Sequence, residues 1–106
     1  MNTLEQRCLN YMNAYKAPRE EFFQHLWDST VCPTDLAKKA LTHAGIPFEE
    51  VWNLNARIAH NPYTDKDELS IDWLTVAYYL EQNHVITLMN TAEAKDRVNQ
   101  YLDSIP

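Results

Sequence analysis

Apolar side chains recur at helical spacing along most of this chain. Leu4, Cys8, Tyr11, Met12 and Tyr15 fall at i, i+4, i+7, i+8 and i+11, one helical face, which predicts a helix over residues 2–16. Pro18 opens a second helix with acids in its first turn and an aromatic face of Phe22, Phe23, Leu26 and Trp27. Pro33 opens a third, carrying Leu36, Ala37, Ala40, Leu41 and Ala44. A fourth starts at Pro47, with Glu49 and Glu50 in its first turn and Val51, Leu54 and Ile58 on its buried stripe. Pro62 ends it, because the residue before a proline is pushed out of the helical region. Residues 71–82 are apolar nearly all round and read as the central helix, its start left open between Thr64 and Ser70 as caps. Asn90 and Glu93 have capping-box spacing, and a last helix follows with Ala94, Val98, Tyr101 and Leu102 inward.

The one β-like run is residues 85–89, Val-Ile-Thr-Leu-Met. No second strand is evident, so the run is either an extended connector or an edge strand that pairs across a dimer. The chain has one glycine, Gly45, in the corner Ala44-Gly45-Ile46-Pro47. Glycine suits the left-handed residue that ends a helix, and proline suits the start of the next. Tight hairpins and phosphate-cradling loops both lean on glycine, so its scarcity points away from them. The expected fold is all-α: one compact bundle of five to six short helices over residues 1–106.

Composition changes this picture little but narrows the function. A chain of 106 residues with 45% hydrophobic side chains can bury a real core as one domain. No apolar run nears the roughly 20 residues that span a bilayer, and residues 1–7 lack the features of a secretory signal. Two cysteines, Cys8 and Cys32, are too few for a disulfide scaffold; a cytoplasmic protein with reduced thiols is expected. Net charge is −6, and residues 57–106 carry eight acids against four bases. Such a surface repels nucleic acid and anionic lipid and favours basic protein partners.

Residues 40–57 resemble the DNA-binding helix-turn-helix motif: a small residue at Ala40, Gly45 at the turn, and apolar anchors at Val51 and Leu54. The resemblance implies a recognition helix beginning at Pro47, and a regulator that binds DNA is the alternative function. That helix opens on Glu49-Glu50, carboxylates where phosphates would lie, with Arg57 the one nearby cation.

A second cluster gathers Tyr63, Asp65, Asp67, Glu68 and Asp72 around Lys66. Asp65-x-Asp67 opens like a calcium loop, but Ser70 stands where the loop needs glycine and Val76 where it needs glutamate. The expected reading is an acidic contact patch. Trp52, offset from the Val51–Leu54–Ile58 stripe, is either boundary packing or a docking hot spot beside Glu49 and Glu50. The four histidines, His25, His43, His60 and His84, have no metal-ligand spacing, and no nucleophile elbow or Walker motif exists. No metal, cofactor or catalytic activity is expected.

The resulting expectation is an interaction module, monomer or homodimer, that presents carboxylates to a basic, nucleic-acid-handling protein. In size and charge the chain resembles small, acidic, all-helical inhibitors of phage or mobile-element origin, of the anti-CRISPR kind; the likeness is one of composition.

Overall fold

A helix-to-helix corner built around the single glycine organises the fold. The computed structural model describes residues 19–106; the helix expected over 2–16, with Cys8, lies outside the described residues. Helix α1 spans Arg19–Thr30, a two-residue strand β1 follows at Val31–Cys32, and α2 spans Thr34–His43. Gly45 then adopts φ 79°, and its N–H donates to the Thr42 carbonyl while Ile46 N–H donates to the Leu41 carbonyl at 2.8 Å. Two carbonyls left over at the helix end are thereby satisfied, and Ile46 and Leu41 join the same core. Helix α3 spans Phe48–Asn55. The helix-turn-helix corner predicted from residues 40–57 is present, although its second helix is shorter than expected.

The all-α expectation is wrong. Among the described residues, five α-helices accompany a three-stranded antiparallel sheet of order β1–β3–β2, with β2 at Arg57–Asn61 and β3 at Lys66–Asp72. The register pairs Arg57 with Ser70, Ile58 with Leu69, His60 with Asp67 and Asn61 with Lys66, while β1 pairs Val31 with Asp72 and Cys32 with Ile71. The expectation of a helical bundle falls with it, and so does the all-helical part of the likeness to phage inhibitors.

The physical reason is that the hairpin is built without glycine. Asp65 takes the left-handed position at φ 56°, and its N–H donates to the Asn61 carbonyl at 2.8 Å. Asn61 Oδ1 accepts the Tyr63 N–H at 2.9 Å, an Asx turn across Pro62. Aspartate and asparagine tolerate such geometry because their short polar side chains bond to nearby backbone. Helix α3 stops because Ala56 is extended (ψ 136°), while Asn55 Nδ2 donates to the Val51 carbonyl and to Tyr79 Oη. Leu54 and Ile58, expected on a buried stripe, are instead 77% and 74% exposed.

Helix α4 spans Trp73–Gln82, beginning later than the expected start because Ile71 belongs to β3. A 3-10 turn at Thr91–Glu93 leads into α5, Ala94–Asp103. Between them residues 85–89 form no strand within this chain. Glu81 Oε2 anchors the connector by accepting the Leu88 N–H at 2.8 Å. The Asn90–Glu93 box is off by one: Glu93 accepts from Met89 N–H, and Asn90 makes no side-chain cap.

The core lies where α2, α4 and α5 meet the end of β3. Leu41, Ile71, Val76, Leu80, Val98 and Cys32 are its largest fully buried side chains, with Trp73 beside them. Ala37 and Ala40 on α2 are also fully buried and supply small contacts between the larger groups. Among its described side chains helix α1 contributes none that is fully buried, and Phe22, Phe23 and Leu26 are about half exposed.

Candidate functional site

The β2–β3 hairpin tip concentrates the chain's exposed polar chemistry. Pairing across the ladder brings His60 opposite Asp67, and the turn swings Asp65 back over the same imidazole. His60 Nδ1 lies 2.9 Å from Asp67 Oδ1, and Nε2 lies 2.9 Å from Asp65 Oδ1. A neutral imidazole has one N–H, so both contacts are donated only when the ring is protonated. The hydrogen bond to Asp67, then that to Asp65, accordingly raises the His60 pKa above its ordinary 6.5. The carboxylates stay wet: Asp65 and Asp67 side chains are 93% and 70% exposed.

The rest of the tip is tied to itself and to α1. Glu68 accepts from Asn61 Nδ2 and from Thr64 Oγ1, each at 3.1 Å. Tyr63 Oη donates to Asp28 Oδ2 at 2.8 Å, which raises the Tyr63 pKa above its ordinary 10. The Asp28 backbone carbonyl in turn accepts from Lys95 Nζ at 2.9 Å and from Trp73 Nε1 at 3.4 Å. Asp28 thus links hairpin tip, α4 and α5 from near the end of α1.

Of the residues expected in an acidic patch, Asp65 and Asp67 are brought together on one imidazole. Glu68 and Tyr63 belong to the same tip but are held by other partners. Asp72 stands apart, exposed at the far end of β3 and paired through backbone with Val31. Glu49 and Glu50 are exposed on the first turn of α3. Trp52 is half-buried, packed on the core with its ring 5.7 Å from Phe48.

Sequence reasoning missed His60, Asn61 and Asp28. The histidine stands in no motif of its own, and Asp28 is 35 residues from the tyrosine it holds. The available signal was Asn61-Pro62, a turn-forming dipeptide flanked by residues that pair once a hairpin is assumed. No three metal-ligating side chains converge among the described residues. Two carboxylates on opposite nitrogens of one ring leave no common point for an ion.

Beside the tip, α1 and the hairpin enclose a largely apolar groove of about 840 Å³. Phe23, Leu26, Trp27 and Val31 line one side, Ala59 and Pro62 the other, and His60 and Asp65 reach its rim. Cys32, close by in β1, is buried at 1% exposure; burial pushes its thiol up to about 12, so it is no nucleophile near neutral pH. No described helix is long and apolar enough to cross a membrane. Compared with known proteins, the chain matches no family model, no curated sequence and no solved structure.

Proposed function

We propose that the protein is a non-enzymatic interaction module of the cytoplasm, an inhibitor or regulator that presents oriented carboxylates to a basic, nucleic-acid-handling protein. The observation that carries this reading is the clamp of Asp65 and Asp67 on His60. A side chain already fixed in direction loses less rotamer freedom when a lysine or arginine docks on it. Charge-assisted hydrogen bonds to such groups are also stronger than neutral ones. The net charge of −6 steers cationic partners towards the surface and raises their rate of encounter.

Reversing charge at Asp65, Asp67 and Glu68 tests the reading. Cross-linked capture in the native host, with the partner then purified and titrated, is expected to lose at least tenfold in affinity while far-UV circular dichroism stays unchanged. Undiminished affinity of the triple variant overturns it.

One observation favours the second reading, a DNA-binding regulator. Gly45 does form the turn between α2 and α3, and α3 is followed in the chain by Arg57 and the β2–β3 hairpin. Glu49, Glu50, Asp65 and Asp67 line those two elements, and all four oppose phosphate. Duplex titration at low ionic strength separates the readings. Binding that weakens linearly with the logarithm of salt supports the regulator; no affinity removes it.

A further inference from the structure

Helix α1 carries an apolar stripe with the spacing of a helix-packing face. Phe23, Leu26, Trp27 and Thr30 fall at i, i+3, i+4 and i+7, the positions that line up along one side. Helices α2, α4 and α5 bury their stripes against one another. Among the described residues the α1 stripe does not: Phe23 and Leu26 are 48% and 50% exposed, and Phe22 beside them, its ring edge-on to Phe23, is equally open. Two half-exposed phenylalanines and a leucine form a larger apolar surface than scattered side chains normally leave in water.

The groove between this stripe and the hairpin has a charged rim of one predominant sign. Asp65 borders it, and Asp65 and Asp67 share one imidazole, so the trio keeps at least one net negative charge in either protonation state of His60. An occupant with acidic flanks would face repulsion there, whereas lysines or arginines beside an apolar face would meet carboxylates. The length of the stripe fits a helix: α1 has 12 residues, about 18 Å of axis. About three turns of an amphipathic helix, with anchors at i, i+3, i+4 and i+7, match it ridge to groove.

We infer that the α1–hairpin groove is the docking site for a basic amphipathic helix of a partner protein, whose apolar face covers Phe23, Leu26 and Trp27 while its cations meet Asp65 and the adjoining Asp67. The inference rests on the interaction-module reading and names the chemistry of the partner.

The test uses the full chain and two synthetic helical peptides of identical apolar pattern, one with leucine and lysine, the other with leucine and glutamate. The lysine peptide is expected to bind at least tenfold more tightly and to shift the Phe23, Leu26 and Trp27 resonances. Leu26→Glu should weaken it at least tenfold, and Asp65→Lys should narrow or reverse the preference between the peptides. Both substitutions replace exposed side chains, and circular dichroism checks that each variant folds. Equal binding of both peptides, binding of neither, or shifts confined to other surfaces overturns the inference. A groove already shielded from a soluble paramagnetic probe in the free protein also overturns it: concentration-dependent shielding assigns the groove to a second copy, concentration-independent shielding to another part of this chain. The two readings fail separately. If the triple hairpin reversal abolishes capture of the native partner and Leu26→Glu does not, the module stands and the groove falls. If the lysine peptide binds in the groove but the triple reversal leaves native capture intact, the module reading falls.

Discussion

His60 and Asp67 face each other across the β2–β3 ladder, with Nδ1 and Oδ1 2.9 Å apart, and Asp65 closes on the opposite nitrogen from the turn. Because the folded state holds the His60 proton more tightly than the unfolded chain does, the contribution of this clamp to stability is complete below about pH 6.5, the ordinary histidine value, and fades as pH rises through the raised folded value. An NMR titration should place the His60 midpoint above 6.5. Asp67→Asn should lower it more than Asp65→Asn, since the Asp67 hydrogen bond is the larger cause. A midpoint at or below 6.5 shows that the ring is not doubly donated.

Tyr63 reports the other tether of the tip. Its hydroxyl donates to Asp28, and that bond favours the protonated phenol. Ultraviolet titration should find one tyrosine ionising above 10, absent in Tyr63→Phe. Asp28→Asn should bring that midpoint down towards the ordinary value, because an amide lacks the carboxylate charge.

Leu54 and Leu80 contrast the two kinds of apolar position in this chain. Leu80 is fully buried among α4 neighbours, so Leu80→Ala should destabilise by about 2–5 kcal/mol in urea unfolding. Leu54 is mostly exposed at the end of α3, so Leu54→Ser should change stability by about 0.5 kcal/mol or less. A large loss at Leu54 would contradict the early stop of α3 and restore a longer helix through Ile58.

That contrast also explains how much was legible beforehand. The Gly45 corner, α2 and the core faces of α4 and α5 follow from spacing and from residues with strong backbone preferences. The hairpin did not. Val51, Leu54 and Ile58 have helical spacing by coincidence, and an exposed hairpin needs no alternation of apolar and polar residues, the usual sign of a half-buried strand. Its turn uses Asn61 and Asp65 where glycine was sought. The acidic residues of the tip were visible as a cluster, but their arrangement depends on a pairing register that places His60 between them. The tether to Asp28 depends on the packing of α1, which no local pattern encodes.

Cys32 offers a chemical check on the core. Its thiol is buried in the core beside β3 and α4 and raised to about 12 by desolvation. At pH 8 the thiolate fraction is then about three orders of magnitude below that of a thiol with the ordinary value of 9.0. In a Cys8→Ser background, alkylation of Cys32 by iodoacetamide should be slow in buffer and fast in denaturant. Rapid native-state labelling would mean that the sheet's β1 edge opens readily.

His84 ends α4 with the geometry that Gly45 supplies after α2. Its N–H donates to the Glu81 carbonyl at 2.9 Å, Val85 N–H donates to the Leu80 carbonyl at 2.9 Å, and φ is 61°. The motif is the same, but a side chain in the left-handed region crowds its own backbone, at a cost of roughly 1–2 kcal/mol. The imidazole makes no hydrogen bond and is exposed, so little is lost by removing it. Glycine also makes the unfolded chain more flexible, which offsets part of the gain. His84→Gly should therefore stabilise by about 0.5–1 kcal/mol, seen as a higher urea midpoint with an unchanged slope. Gly45→Ala should do the reverse: open space surrounds the new methyl group, so the loss would come from backbone strain alone. If both substitutions destabilise, the left-handed conformation at His84 is not strained.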